Sequence, residues 1–269
     1  MNKTVLITGV SSGIGRETAV LLAGKGFRVF GTVRKETHGL DGIELVTLDV
    51  TDDASVKDAV REITAKAGPI GGLVNNAGYG VIGAVEETSV AEAREQFETN
   101  VFGVMRMVNA VLPGMREQGY GRIVNVSSVF GFLPAPYMGI YGASKHAIEG
   151  YTETLDHEVR DFGVRALLVE PDATRTNFES AGKATAQNIG AYAVQKARVL
   201  EAMQQILKNG TDPREVAIAI HKALTAASPR LRYPVGTGPK LSFMRRFVPA
   251  GMFAGSFRKQ FRLDEPRPA

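Results

Sequence analysis

Short apolar runs alternate with helix-patterned stretches along the first two thirds of the chain, and this rhythm constrains the fold more than any other feature. Residues 3–8 (KTVLIT) form a β-branched run closed by Gly9, the pattern of a strand buried on both faces. Comparable runs recur at 27–33, 43–48, 72–75, 122–126 and 164–169. Helical patterns lie between them. One spans 13–25 and ends at Gly26; a second runs from Asp52-Asp53 to about Lys66 and stops at Gly68-Pro69. A third covers about 89–116, broken in pattern near Asn100, and a fourth begins near Tyr141 and runs to about Asp161. Uniformly apolar strands separated by helices predict a parallel sheet covered on both faces. Right-handed crossovers then make this a doubly wound Rossmann-type α/β fold of about seven strands, one domain over 1–269. Beyond Asn177 the rhythm changes to two helices (about 189–207 and 213–226), a strand near 230–235, and a tail over 239–269 rich in Phe, Met and Arg.

Composition removes several classes of function. The 269 residues include no cysteine, which excludes disulfides, thiolate zinc sites and a cysteine nucleophile. The four histidines, His38, His146, His157 and His221, have no metal-ligand spacing, so no metal is expected. The start, MNKTVLITG, lacks the form of a signal peptide, and no apolar stretch approaches a membrane span, so the expectation is a cytoplasmic protein. The net charge of +4 collects at the far end, at Lys240, Arg245, Arg246, Arg258, Lys259, Arg262 and Arg267. Such a small excess points away from nucleic acid.

Two local patterns carry chemistry. After the first strand comes TGVSSGIGRETA, with glycines at 9, 13 and 15. At a strand-to-helix junction those glycines allow a sharp turn, close backbone approach of a pyrophosphate, and tight helix–strand packing. Ser11 and Ser12 add hydroxyl donors, and Ile14 completes the loop. The second strand ends in Val33-Arg34-Lys35 rather than an acidic residue. Arginine suits a 2′-phosphate, so NADP(H) is favoured over NAD(H), with a solvated Arg34 as the alternative. The second pattern is Tyr141 four residues before Lys145. Helical spacing puts both on one face, where an ammonium favours ionisation of a phenol.

Together these motifs resemble the short-chain dehydrogenase/reductase family, over nearly all of residues 1–180. Thr8-Gly9-Val10-Ser11-Ser12-Gly13-Ile14-Gly15 matches its glycine loop. Asp49 in LDVTD, with Val50 beside it, matches its adenine-contacting aspartate, and Asn75-Asn76-Ala77-Gly78 its NNAG stretch. Asn100 in NVFG, Ser128 thirteen residues before Tyr141, Tyr141 and Lys145 match its catalytic tetrad. The resemblance implies that Tyr141 is the general acid/base, Ser128 polarises the substrate oxygen, and Lys145, together with the positive nicotinamide of the oxidised cofactor, lowers the phenol's pKa and also binds the nicotinamide ribose. It implies that Asn100 holds a water linking Lys145 to solvent. Cofactor contacts are implied at Gly9, Ser11, Ser12, Gly13, Ile14, Gly15, Arg34, Asp49, Val50, Asn76, Ala77, Gly78, Tyr141 and Lys145, and at Pro171, Thr174 and Thr176 after the sixth strand.

One departure stands out: Asp172 occupies a position where the family usually has glycine, and a carboxylate turned toward the pyrophosphate would be unfavourable. The segment 177–207 corresponds to the family's variable substrate lid. With Phe130, Phe132, Leu133, Tyr137 and Phe178 it predicts an apolar pocket for a hydrophobic ketone, aldehyde or secondary alcohol. Ser128, Tyr137, Tyr141 and Phe178 are the expected substrate contacts, although Tyr137 fits loop packing equally well. The overall pattern is nearest to the steroid- and retinoid-type branch. Packing over the cleft, a subunit contact and peripheral membrane binding compete for the tail, in that order. The resemblance implies a homodimer or homotetramer. A silent NADP(H)-sensing protein and an epimerase or dehydratase on the same scaffold are the alternatives to an alcohol/ketone oxidoreductase.

Overall fold

The structure, a computed structural model, describes residues 2–35, 40–176 and 182–265. Seven parallel strands form one sheet: β1 (Thr4–Ile7), β2 (Arg28–Val33), β3 (Ile43–Thr47), β4 (Gly72–Asn75), β6 (Gly121–Val126), β7 (Val164–Glu170) and β9 (Arg232–Pro234). Their spatial order is β3-β2-β1-β4-β6-β7-β9. Leu6 pairs with Phe30 on one side and Leu73 on the other.

Side chains alternate across this sheet, and both faces are buried. Leu6, Phe30, Leu73, Ile123 and Leu168 face one core, shared with α2 (Asp53–Ala67), α4 (Gly103–Glu117) and α5 (Gly139–Val159). Val5, Ile7, Val29, Val124 and Leu167 face the other, shared with α1 (Gly13–Gly24) and α7 (Pro213–Thr225). Strand order runs outward in both directions from the β1–β4 junction, which opens a crevice at the strands' carboxyl ends.

The expected third helix is two, α3 (Val90–Phe97) and α4, joined by a π-helical turn over Glu98–Phe102. The fourth begins at Gly139. A two-residue parallel pair, β5 (Val81–Ile82) with β8 (Lys183–Ala184), ties the loop after β4 to the segment before α6 (Gly190–Lys208). Two residues carry no readable periodicity, so the sequence holds no signal for it. The tail folds into α8 (Gly238–Phe247) and α9 (Ala250–Gln260). Phe253, Phe257 and Phe261 form a one-sided stripe that packs with Val129, Leu133, Tyr137 and Val199. The inner face of the tail therefore covers the cleft.

Candidate active site

The turn after β1 is built on left-handed backbone at Gly9 (φ 71°) and Gly13 (φ 57°), a region that disfavours side chains. A Cβ at Gly15 would collide with the carbonyl of Gly9, so its glycine lets α1 sit directly on β1. Asn76 Nδ2 donates to the carbonyls of Thr8 and Gly9, both at 3.0 Å, and locks the turn against β4. The N-cap of α1, Ser12, makes no side-chain cap bond, and the first turn carries no acidic residue. The helix therefore presents orphan N–H donors and the positive end of its dipole to the crevice.

That crevice holds a cavity of about 550 Å³. Gly9, Ser11, Ser12, Gly13, Ile14 and Thr176 surround the helix terminus, Arg34, Asp49 and Val50 form one end, and Asn76, Ala77 and Gly78 the floor. Asp49 accepts from the Thr51 amide (2.9 Å) and hydroxyl (2.8 Å), which hold its carboxyl below the ordinary range. Uncapped amides beside left-handed glycines, with Arg34 and Lys183 also on the lining, fit a nicotinamide dinucleotide.

A second cavity, of about 430 Å³, shares Ile14, Asn76, Gly78 and Thr176 with the first, so the two meet. Ser128, Tyr141 and Lys145 line the second cavity, as do Pro171 and Thr174. Beyond them its walls are apolar: Leu133 and Met138, then Leu200 and Met203 of α6, and Leu241, Phe257 and Phe261 of the tail.

Ser128 follows β6, and its hydroxyl accepts from the Phe130 amide at 3.2 Å. Tyr141 and Lys145 sit one turn apart on α5, both 8% exposed. The Ser128 and Tyr141 side chains hydrogen-bond each other. Lys145 Nζ donates to the Val126 carbonyl at 2.8 Å and lies 5.7 Å from the centre of the Tyr141 ring. Burial pushes the phenol up to about 12, with the Ser128 bond pulling the other way. Burial brings the lysine down to about 8, opposed by Glu149 one turn further along α5. In the chain alone burial dominates the phenol; the expected lowering joins Lys145 to the positive nicotinamide of the oxidised cofactor and belongs to the loaded enzyme.

Asn100 lies in the π turn, a frequent device at functional sites. Its amide donates to the Tyr79 carbonyl (2.9 Å) and Ser144 hydroxyl (3.1 Å), while its Oδ1 accepts from the Tyr79 amide (3.1 Å). The side chain therefore joins the β4–β5 loop to α5.

Tyr137 requires correction as a substrate contact. Its hydroxyl donates to Gln195 Oε1 at 3.1 Å, and its ring packs among α6 and tail residues, so it lines neither cavity. Phe178 lies outside the described residues. Asp172 does not turn to the glycine loop: Thr211 Oγ1 (2.7 Å), the Thr237 amide (2.7 Å) and the Thr237 hydroxyl (2.9 Å) all donate to its carboxylate. The glycine-to-aspartate departure anchors the tail.

Two buried ionic groups escape sequence reasoning. Arg232 of β9 pairs with Glu149, Glu153 and Glu170. The Glu170 carboxyl is pushed above the ordinary range, by burial first and by Glu149 second. Glu87, fully buried, binds Lys196 of α6 at 2.9 Å. An isolated Glu ending an apolar strand is the one sequence signal for either.

The sheet order, the glycine turn and the Ser–Tyr–Lys cluster define a nucleotide-binding oxidoreductase scaffold. The sequence profile described as short chain dehydrogenase matches residues 3–187, and the chain belongs to that family of oxidoreductases, enzymes that use a nicotinamide cofactor. It is 40% identical over 235 residues to 3-ketodihydrosphingosine reductase of Bacteroides thetaiotaomicron, covering 86% of this chain and 87% of that protein. It is 37% identical over 259 residues to retinol dehydrogenase 8 of Bos taurus, covering 87% and 82%. A crystal structure of a short-chain dehydrogenase from Streptomyces avermitilis superposes with a TM-score of 0.82 at 35% identity, covering 98% of each chain.

Proposed function

We propose that the protein is an NADP(H)-dependent alcohol/ketone oxidoreductase acting on a long, hydrophobic ketone or secondary alcohol. The observation that carries this reading is that a dinucleotide-sized cavity opens, past Ile14, Asn76, Gly78 and Thr176, into an apolar one that carries Ser128, Tyr141 and Lys145. The nicotinamide, when bound, supplies or accepts the hydride. The chain's own groups do the rest. Ser128 donates a hydrogen bond to the substrate oxygen as negative charge grows on it. Tyr141, held in place by its bond to Ser128, gives that oxygen its proton in reduction and takes it back in oxidation. Lys145 would hold the nicotinamide ribose while Val126 fixes its ammonium beside the phenol. The apolar walls exclude water and orient the chain of the substrate.

Arg34 supports NADP(H): it borders the cavity at the end of β2 together with Lys183, and the carboxylates that also line this cavity are each held by another group, Asp49 by Thr51, Glu95 by Lys183 and Glu98 by Arg106. The names of the sphingoid reductase and the retinol dehydrogenase both point to lipophilic substrates, which fits the second cavity. A homodimer or homotetramer built on α4 and α5, as is common in the family, completes the reading.

The test is NADPH oxidation at an absorbance of about 340 nm across long-chain and short ketones, with NADH alongside; removing the acid/base group is worth at least about 10²-fold. The expected outcome is a preference for NADPH and for long-chain ketones, with turnover lost in Tyr141→Phe. Tight NADPH binding without turnover on any carbonyl would instead favour a silent cofactor sensor, and a preference for NADH would remove the role given to Arg34.

A further inference from the structure

Residues 238–260 contain five cations and no carboxylate; since the whole chain nets +4, everything outside this segment nets −1. The positive charge of the protein is therefore the charge of α8 and α9. Arg258 is bound to Asp264 at 2.6 Å. Among the described residues, no carboxylate pairs with the exposed Lys240, Arg245, Arg246 or Lys259.

The same outer face carries large apolar side chains. Phe243, Phe247 and Met252 are 62%, 64% and 69% exposed. The rings of Phe243 and Phe247, one turn apart on α8, touch at 4.7 Å between centres with their planes tilted by 38°, and the Arg246 guanidinium lies 5.9 Å from the Phe247 ring. The inner faces of the two helices are fully engaged: Leu241, Phe257 and Phe261 line the apolar cavity. The helix pair thus has an aromatic and cationic outer face set directly over the wall of the apolar cavity.

We propose that the outer face of α8 and α9 seats the protein on an anionic lipid surface. Aromatic side chains flanked by unpaired Lys and Arg on a short helix pair match the chemistry of an interfacial segment, with rings entering the headgroup region and cations meeting lipid phosphates. Charge decides against a second copy of the chain as the occupant. A two-fold contact centred here would set the cations of one protomer against the same cations of the other. Seated this way, the wall of the cavity faces the lipid, the source of a long apolar substrate. Vesicle binding reads this face alone, and its outcome is independent of the catalytic reading.

The experiment is co-sedimentation of the full chain with phosphatidylcholine vesicles and with phosphatidylcholine–phosphatidylglycerol vesicles, at low and high salt. Binding is expected only to the anionic vesicles, and high salt is expected to release it. Arg245→Gln with Arg246→Gln should weaken it about 30-fold, at about fivefold per cation. Because Arg245 also lies over the Phe253 ring, Lys240→Gln with Lys259→Gln provides a second pair that touches no ring, with the same expected loss. Phe243→Ser with Phe247→Ser should abolish the remaining binding. Equal binding to both vesicle types, binding that survives loss of the two rings, no binding at all, or a dimer in light scattering that the Ser pair dissolves would each overturn the proposal.

Discussion

Tyr141 and Lys145 are displaced in opposite directions by the same cause. Burial favours the neutral form of each, so the phenol rises to about 12 and the ammonium falls to about 8. The lysine's shift has a consequence for stability. Below pH 8 both the folded and unfolded chains hold a protonated Lys145, and the folded state carries the full penalty of the buried charge. Between about pH 8 and 10.5 the folded chain loses its proton first, so stability rises with pH by up to about 3 kcal/mol. Lys145→Met is therefore expected to stabilise the protein at pH 7 by about 1–3 kcal/mol in urea melts, while turnover is lost. By pH 9.5 the gain should shrink; a gain that stays constant with pH would show that the lysine is not buried as a cation. Ser128 has the complementary position, since its hydroxyl both accepts from Phe130 and contacts the phenol.

At the scale of elements, a single buried carboxylate secures α6 and the segment before it. Glu87, in the turn over Val85–Glu87, accepts from the Ala84 amide (2.9 Å), the Ile189 amide (2.8 Å) and Lys196 Nζ (2.9 Å). Lys196 and then these amides pull its pKa down to about 2. A depressed carboxyl contributes stability above its unfolded pKa and loses it as pH falls, here between about 4.5 and 2. Glu87→Gln should remove that pH dependence and speed hydrogen exchange across residues 183–208, with little change in the sheet. Unchanged exchange in α6 would mean that the apolar contacts of Val199 and Met203, rather than Glu87, hold this helix. The π turn between α3 and α4 works in a similar way: by breaking the helical register it points the Asn100 amide at Tyr79 and Ser144, fastening a loop of the dinucleotide cavity to the helix that carries Tyr141.

For the whole molecule, the tail adds an apolar wall to the cleft. Phe257 is 8% exposed, with one side in the cavity and the other against the Phe253 and Phe261 rings. Phe257→Ala should lower stability by about 3 kcal/mol. It should also raise KM for long-chain ketones while leaving short ones unchanged, as measured by melts and initial rates. Equal effects on both substrates would show that the tail does not contact the apolar chain. Asp172 is the joint that holds this wall in place, because it grips Thr211 and Thr237 on the two sides of β9. Arg232, drawn between Glu149 and Glu170, fixes the same edge strand to α5.

The amino-acid sequence by itself determined what depends on neighbours a few residues away. Runs such as VLI and RIVNV follow from burial on two faces, Gly9 and Gly13 from backbone angles that disfavour side chains, and the Tyr141–Lys145 pairing from helical pitch. The break near Asn100 was legible as lost periodicity, though not as a π turn. Tertiary structure decided what depends on residues far apart in the chain. Arg232 meets Glu149 across 83 positions, Lys196 meets Glu87 across 109, and Tyr137 turns to Gln195 across 58. It also decided that the inner faces of α8 and α9 cover the cleft and that burial raises the pKa of Tyr141 in the chain alone. Periodicity records which face of an element is buried, whereas the partner on that face is chosen only when the chain returns to it.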